Sequence, residues 1–154
     1  MNHSIIIYYS WSGSTEYIAK QIARLCGADL LQLFPTEAYP VNYSKCVDQA
    51  RIETRTGFCP PLESFEIDLS QYDTVFIGSP IWCGTYASPI RTFLRSYDLS
   101  GKTVYPFCTH GGGGEKNFSA HIKEACSSSN LKPTLVLFGS GGNTLSAKLK
   151  EWIS

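Results

Sequence analysis

Hydrophobic positions along this chain fall in short, nearly unbroken runs. "SIIIYY" (4–9), "DTVFIGS" (73–79), "KTVYPFC" (102–108) and "TLVLFGS" (134–140) are rich in Val, Ile, Phe and Tyr. Runs without polar alternation suit strands covered on both faces, as in a parallel sheet. A weaker run, "ADLLQLFP" (28–35), predicts a fifth strand. Between the runs the period changes to that of a helix. Ile18, Ala19, Ile22, Ala23 and Cys26 make one apolar stripe, and Ile90, Phe93, Leu94 and Tyr97 make a second behind Pro89. Phe118, Ile122, Ala125 and Cys126 give a third, and Leu145, Leu149, Trp152 and Ile153 a fourth. Strand and helix therefore alternate, which predicts an α/β domain with a doubly wound parallel sheet and helices on both faces.

Residues 36–72 break this alternation. "NYSKCVDQARIETR" carries only a loose stripe (Tyr43, Val47, Ala50), and "TGFCPPLESFEIDLS" reads as loop, so an extended, irregular crossover is expected there. No repeat or linker divides the chain, and 1–154 reads as a single domain.

Composition narrows the choices. The 154 residues are 43% hydrophobic and 17% charged, with 13 basic against 13 acidic side chains and no net charge. No basic stripe interleaved with aromatics is present, which argues against nucleic acid as a partner. No stretch reaches 18 apolar residues and the start lacks a basic, signal-like region, so the expectation is a cytoplasmic protein without a membrane anchor. The six cysteines stand at 26, 46, 59, 83, 108 and 126 with no C-x-x-C pair, which is neither a zinc signature nor a disulfide framework. Cys26, Cys108 and Cys126 read as small core residues.

In an open parallel sheet, ligands bind at the carboxyl ends of the strands, where strand order reverses. Those ends carry "SWSGST" (10–15), "SPIWCGTY" (79–86) and "THGGGGEKNF" (109–118). The first gathers four hydroxyls (Ser10, Ser12, Ser14, Thr15) around Gly13 at the start of a helix. Unpaired backbone N–H groups and the positive end of the helix dipole make such a place suitable for a phosphate. It has no Lys or Arg and does not match the G-x-x-x-x-G-K-[ST] loop of ATPases and GTPases. A receiver domain would need acids where Ser and Pro stand, and a low-molecular-weight tyrosine phosphatase needs a C-x5-R that is absent. "GSGGNT" (139–144) reads as a turn.

Ser10-Trp11-Ser12-Gly13-Ser14-Thr15 resembles the phosphate loop of flavodoxins, directly after the first strand as in that family. "GSPIWCGT" (78–85) and "CTHGGGGEKNF" (108–118) resemble the family's two flavin-ring loops. The resemblance covers nearly the whole chain. It implies a flavodoxin-like five-stranded sheet in the order 2-1-3-4-5 and one noncovalent FMN. By the same resemblance, Trp82 forms a wall of the flavin site, and Pro80, Ile81, Cys83 and Gly84 give backbone contacts to the ring edge. Cys83–Gly84 would be the peptide that turns its carbonyl toward the flavin on reduction. Thr109 and the N–H groups of Gly111 and Gly112 would bind the pyrimidine edge, with His110 as an imidazolium near it. The glycines here replace a second covering aromatic, so one ring face is expected to be open.

The function this implies is electron transfer between redox partner proteins, a reductase and an acceptor. The alternative is a small NAD(P)H:quinone-type oxidoreductase with a quinone-like acceptor. Carriers of this family are strongly acidic, and this chain is neutral, with Glu37, Asp98 and Glu115 as the candidates for a local acidic rim.

Overall fold

The computed structural model describes residues 3–154. In chain order the elements are β1 (Ser4–Tyr8), α1 (Ser14–Cys26), β2 (Asp29–Gln32), α2 (Tyr43–Thr56), β3 (Thr74–Trp82), β4 (Thr85–Tyr86), α3 (Ser88–Ser96), β5 (Thr103–His110), α4 (Phe118–Ala125), β6 (Asn130–Leu131), β7 (Leu135–Phe138) and α5 (Leu145–Ile153). The sheet runs β2-β1-β3-β5, and both β6 and β7 pair with β5 in parallel. Counting β6 and β7 as one interrupted strand gives the expected order.

The interruption has a visible cause. Lys132 N–H donates to the Val104 carbonyl at 2.8 Å, so Val104 and, two residues on, Pro106 face the outer strand. Pro106 has no N–H for that ladder. Opposite Tyr105 and Pro106 the outer strand runs through three residues, Lys132, Pro133 and Thr134, before Leu135 pairs with Phe107. This is a bulge placed where the central proline leaves nothing to pair with.

The apolar runs bury side chains on both faces, as their lack of alternation requires. Ile5 and Ile7 point to a cluster completed by Cys46 and Ala50 of α2, Ile90 and Phe93 of α3, and Phe118 and Ile122 of α4. Ile6 and Tyr8 point to the other face, closed by α1 and α5 through Ile18, Ile22, Leu145 and Leu149. Cys108 and Cys126 are buried as expected, whereas Cys26 is only half-buried. Burial pushes the Cys108 thiol up to about 12 and the Cys126 thiol up to about 11.

At the middle of β3, Gly78 lies beside Phe107 of β5. A Cβ on Gly78 would stand 2.1 Å from Phe107 Cζ, inside a ring that is fully buried and cannot swing away. Gly78→Ala is therefore expected to cost roughly 2–3 kcal/mol through overpacking. For a chain of this size that lowers Tm by about 5–10 °C. A thermal melt within 1–2 °C of the parent would contradict this account of the strand.

The 36–72 crossover is more ordered than the sequence reading expects. It contains a helix of 14 residues, capped by Asn42, whose side chain accepts from Lys45 N–H at 3.0 Å. The following strap is pinned back onto the chain after β2 by Thr36 N–H to the Pro61 carbonyl (2.9 Å) and Glu63 N–H to the Phe34 carbonyl (2.7 Å). Arg91 and Thr92 of α3 hold its other side, donating to the Phe58 and Pro60 carbonyls at 2.8 Å each.

Candidate functional site

The chain leaves β1 toward β2 on one side and reaches β3 on the other, so strand order reverses between β1 and β3. At the carboxyl ends of these strands lies a cavity of about 590 Å³, within the range of roughly 300–1,000 Å³ usual for small-molecule sites.

Its first wall is the loop from β1 into α1. Gly13 precedes the helix with φ +104°. A Cβ there would meet nothing within 4 Å, so the position needs glycine for its backbone conformation and not for lack of space. Two of the four hydroxyls serve the fold. Ser10 Oγ accepts from Glu16 N–H at 3.1 Å, and Thr15 Oγ1, buried, shares a hydrogen bond of 2.9 Å with Thr109 Oγ1 at the end of β5. The other two, Ser12 and Ser14, line the cavity beside Trp11. Trp11 donates its Nε1–H to the Pro40 carbonyl at 3.1 Å, which fixes the indole at the rim.

The second wall comes from β3. Pro80 interrupts no ladder with β1, whose pairing ends at Gly78. The strand runs on to Trp82 and folds back into β4 through the two-residue loop Cys83–Gly84. Both loop residues are left-handed, φ 51° and 81°, the conformation of a type I′ hairpin turn. Inverting the Cys83–Gly84 peptide would convert it to type II′, which favours glycine at the first position, where Cys83 stands. That places a cost on the peptide turn the sequence reading expects. Ser79, fully buried, accepts Ala87 N–H at 2.8 Å and holds the hairpin against the sheet. Pro80, Ile81, Trp82 and Cys83 line the cavity and Gly84 does not; Gly84 instead offers its carbonyl to Asn117 N–H at 2.8 Å. Trp82 is 8% exposed, because Tyr39 and Tyr9 pack edge-on to it with ring centroids at 4.7 and 5.4 Å.

The third wall is the end of β5, where Thr109, His110 and Gly111 line the cavity. His110 Nδ1 accepts N–H from Gly112 (3.0 Å) and Gly114 (3.2 Å). The ring proton therefore sits on Nε2. An imidazolium would give up both bonds, and the Gly112 N–H is engaged within the loop in this arrangement. Phe118, the first residue of α4, is buried in the core and does not line the cavity.

The wall that sequence reading missed is α2. Tyr43, Cys46, Val47, Ala50 and Arg51 all line the cavity, with the Tyr43 ring 6.2 Å from that of Trp11. The expected stripe Tyr43–Val47–Ala50 is thus the cavity-facing side, while Cys46, Ala50 and Glu53 are the buried positions. Gly139, from the turn after β7, also lines it. Arg51 is the one charged residue among these. It stands eight residues beyond Tyr43, so its Cα is about 12 Å farther along the helix axis, and its guanidinium meets Asp48 at 3.4 Å on the exposed surface. Asp98 falls at the opposite end of the sheet, before β5, so it contributes nothing to a rim here.

The donor set is neutral at the α1 end and apolar to aromatic in the middle, with Ile81, Trp82 and Val47. It suits a flat ring joined to an anion, and no group of three His, Cys, Asp or Glu able to hold a metal occurs among the described residues.

Solved structures similar to this chain include flavoproteins. The chain aligns over 100% of its length with 99% of a Bacteroides eggerthii protein at 26% identity and TM-score 0.85. It aligns over 100% of both chains with a flavoprotein of Lactobacillus acidophilus solved in complex with FMN, at 25% identity and TM-score 0.79. Flavodoxin 1 of Bacillus cereus shares the fold at 16% identity and TM-score 0.61, over 99% of this chain and 95% of that one. The family model described as Flavodoxin matches residues 3–154, and the chain belongs to the flavodoxin family.

Proposed function

We propose that this protein holds FMN noncovalently in the cavity and passes electrons between redox partner proteins. The observation that carries the reading is the neutral cradle. Ser12 and Ser14 flank a left-handed Gly13 at the N-terminus of a 13-residue helix, which is the arrangement a phosphate dianion needs when no cation is at hand. The bound flavin supplies the redox chemistry, and the chain binds, orients and shields it. Ser12, Ser14 and the first N–H groups of α1 take the phosphate. Ser10, Gly13 and Thr15 hold that loop in shape. Trp82 and Ile81 cover the ring, with Pro80 and Cys83 at its edge. Thr109 and the Gly111 backbone receive the polar side of the ring, and the N–H that His110 carries on Nε2 is the donor it offers. FMN in the Lactobacillus acidophilus relative supports the choice of cofactor.

A second reading, an NAD(P)H-dependent reductase of a quinone-like acceptor, is favoured by Arg51. A cation on the cavity wall, paired only with the exposed Asp48 at 3.4 Å, suits the anionic part of a small substrate. Anaerobic photoreduction of the FMN-loaded protein separates the two. The carrier passes through a long-wavelength absorbance band before bleaching. Direct bleaching without that band, together with rapid reduction by NAD(P)H, would overturn the carrier reading in favour of the reductase.

A further inference from the structure

Behind the cavity wall lies a buried carboxylate that flavin binding does not explain. Glu53 is 6% exposed and follows Cys46 and Ala50 on the buried face of α2. Ala50 lines the cavity, and Glu53 stands about one helical turn farther along the same face of α2, beside Tyr39, which does not itself line the cavity. Its Oε1 accepts the Tyr39 hydroxyl at 2.6 Å and its Oε2 accepts Gln49 Nε2–H at 3.0 Å. Among the described residues no cation lies within ion-pairing distance of it. Arg91, the other buried charge on this face, commits its guanidinium to the Phe58 carbonyl and the Tyr86 ring. Tyr39 in turn packs edge-on to Trp82.

A buried carboxylate with two donors and no counter-ion is costly to keep for packing alone, since hydrophobic residues of like volume generally serve a core as well or better. We infer that Glu53 sets the reduction potential of the flavin, its charge behind the Tyr39–Trp82 wall opposing added negative charge on the ring. The inference rests on the FMN reading above. Tyr39 keeps its proton, because burial and the bond to Glu53 both push its phenol up, and both Glu53 oxygens are acceptors, one from Tyr39 and one from Gln49. In a medium of effective dielectric near 20, a unit charge about 10 Å away changes an equilibrium by on the order of tenfold. Glu53 acts here as a positioning residue, through the field and through Tyr39, without touching the flavin.

The test is potentiometry of FMN-loaded Glu53→Gln beside Glu53→Asp. The amide still accepts the Tyr39 hydroxyl, so oxidised FMN should bind within about threefold of the parent. Reduced FMN should bind on the order of tenfold tighter, read as a potential moved to more positive values. Glu53→Asp, which keeps the charge, should stay near the parent. An unchanged potential in an FMN-bound Glu53→Gln protein overturns the inference and leaves the FMN reading standing. Failure of the parent to bind FMN removes both. Should Glu53→Gln not fold, the redox difference infrared spectrum of the FMN-loaded parent with ¹³C-labelled glutamate gives the answer. A buried carboxylate band displaced on reduction is expected, and its absence overturns the inference.

Discussion

Trp82→Ala is expected to be the most damaging single change, because Trp82 serves the core and the cavity at once. Removing the indole takes away the edge-on partner of Tyr39 and Tyr9 at 4.7 and 5.4 Å and leaves a void between β3 and α2. Large aromatic truncations in a core cost about 3–5 kcal/mol, since the surroundings relax only in part. The flavin-free protein should therefore melt roughly 10 °C or more lower. FMN affinity should fall by at least about tenfold, because stacking on an aromatic face is worth on the order of 1 kcal/mol beyond burial. Trp82→Phe should recover most of the stability and part of the affinity. Thermal melts of both flavin-free variants, with an FMN titration of each, check this. A Trp82→Ala protein as stable as its parent would mean that the Tyr9–Tyr39–Trp82 cluster adds nothing to the stability of the fold.

Ser14→Glu should do the reverse, abolishing binding while sparing the fold. Ser14 begins α1 and lines the cavity. A carboxylate in the first helical turn interacts favourably with the dipole, so Tm should stay level or rise slightly. The same carboxylate stands where the phosphate dianion must sit. Like charges at contact distance, even at an effective dielectric near 20, repel by several kcal/mol, so FMN affinity should fall by at least about a hundredfold. Calorimetric titration with FMN, beside a melt, reads both quantities. Undiminished binding by a folded Ser14→Glu protein would show that the phosphate is held elsewhere.

What the sequence made legible follows from how strongly each element is patterned. The runs at 4–9, 73–79 and 102–108 needed no tertiary information, since short runs rich in Val, Ile, Phe and Tyr without polar alternation suit strands covered on both faces. The loops at their ends could be placed once the sheet was known to be parallel, and so Ser12, Ser14, Trp82, Cys83, Thr109 and His110 could be named as candidates; the fold brings them to one cavity. The cover of the site was not legible. The buried face of α2 is Cys46, Ala50 and Glu53, a thiol, a methyl group and a charge, which a search for hydrophobic period passes over. The interrupted outer strand was half-legible. Leu135–Phe138 lies in an apolar run, but Asn130–Leu131 is too short to carry a pattern, and its break answers Pro106 on a neighbour remote in sequence. The state of His110 depended on hydrogen bonds inside its own glycine loop, which composition does not reveal.

On the proposed reading the cavity takes FMN by its phosphate in a cradle of neutral donors. Paired titrations of the flavin-free protein with FMN and with riboflavin, which lacks only the phosphate, test it most directly. One FMN per chain is expected, with riboflavin bound weaker by at least about a hundredfold, since several hydrogen bonds to a charged group are lost. Equal affinity for the two, or no binding of either, would contradict it.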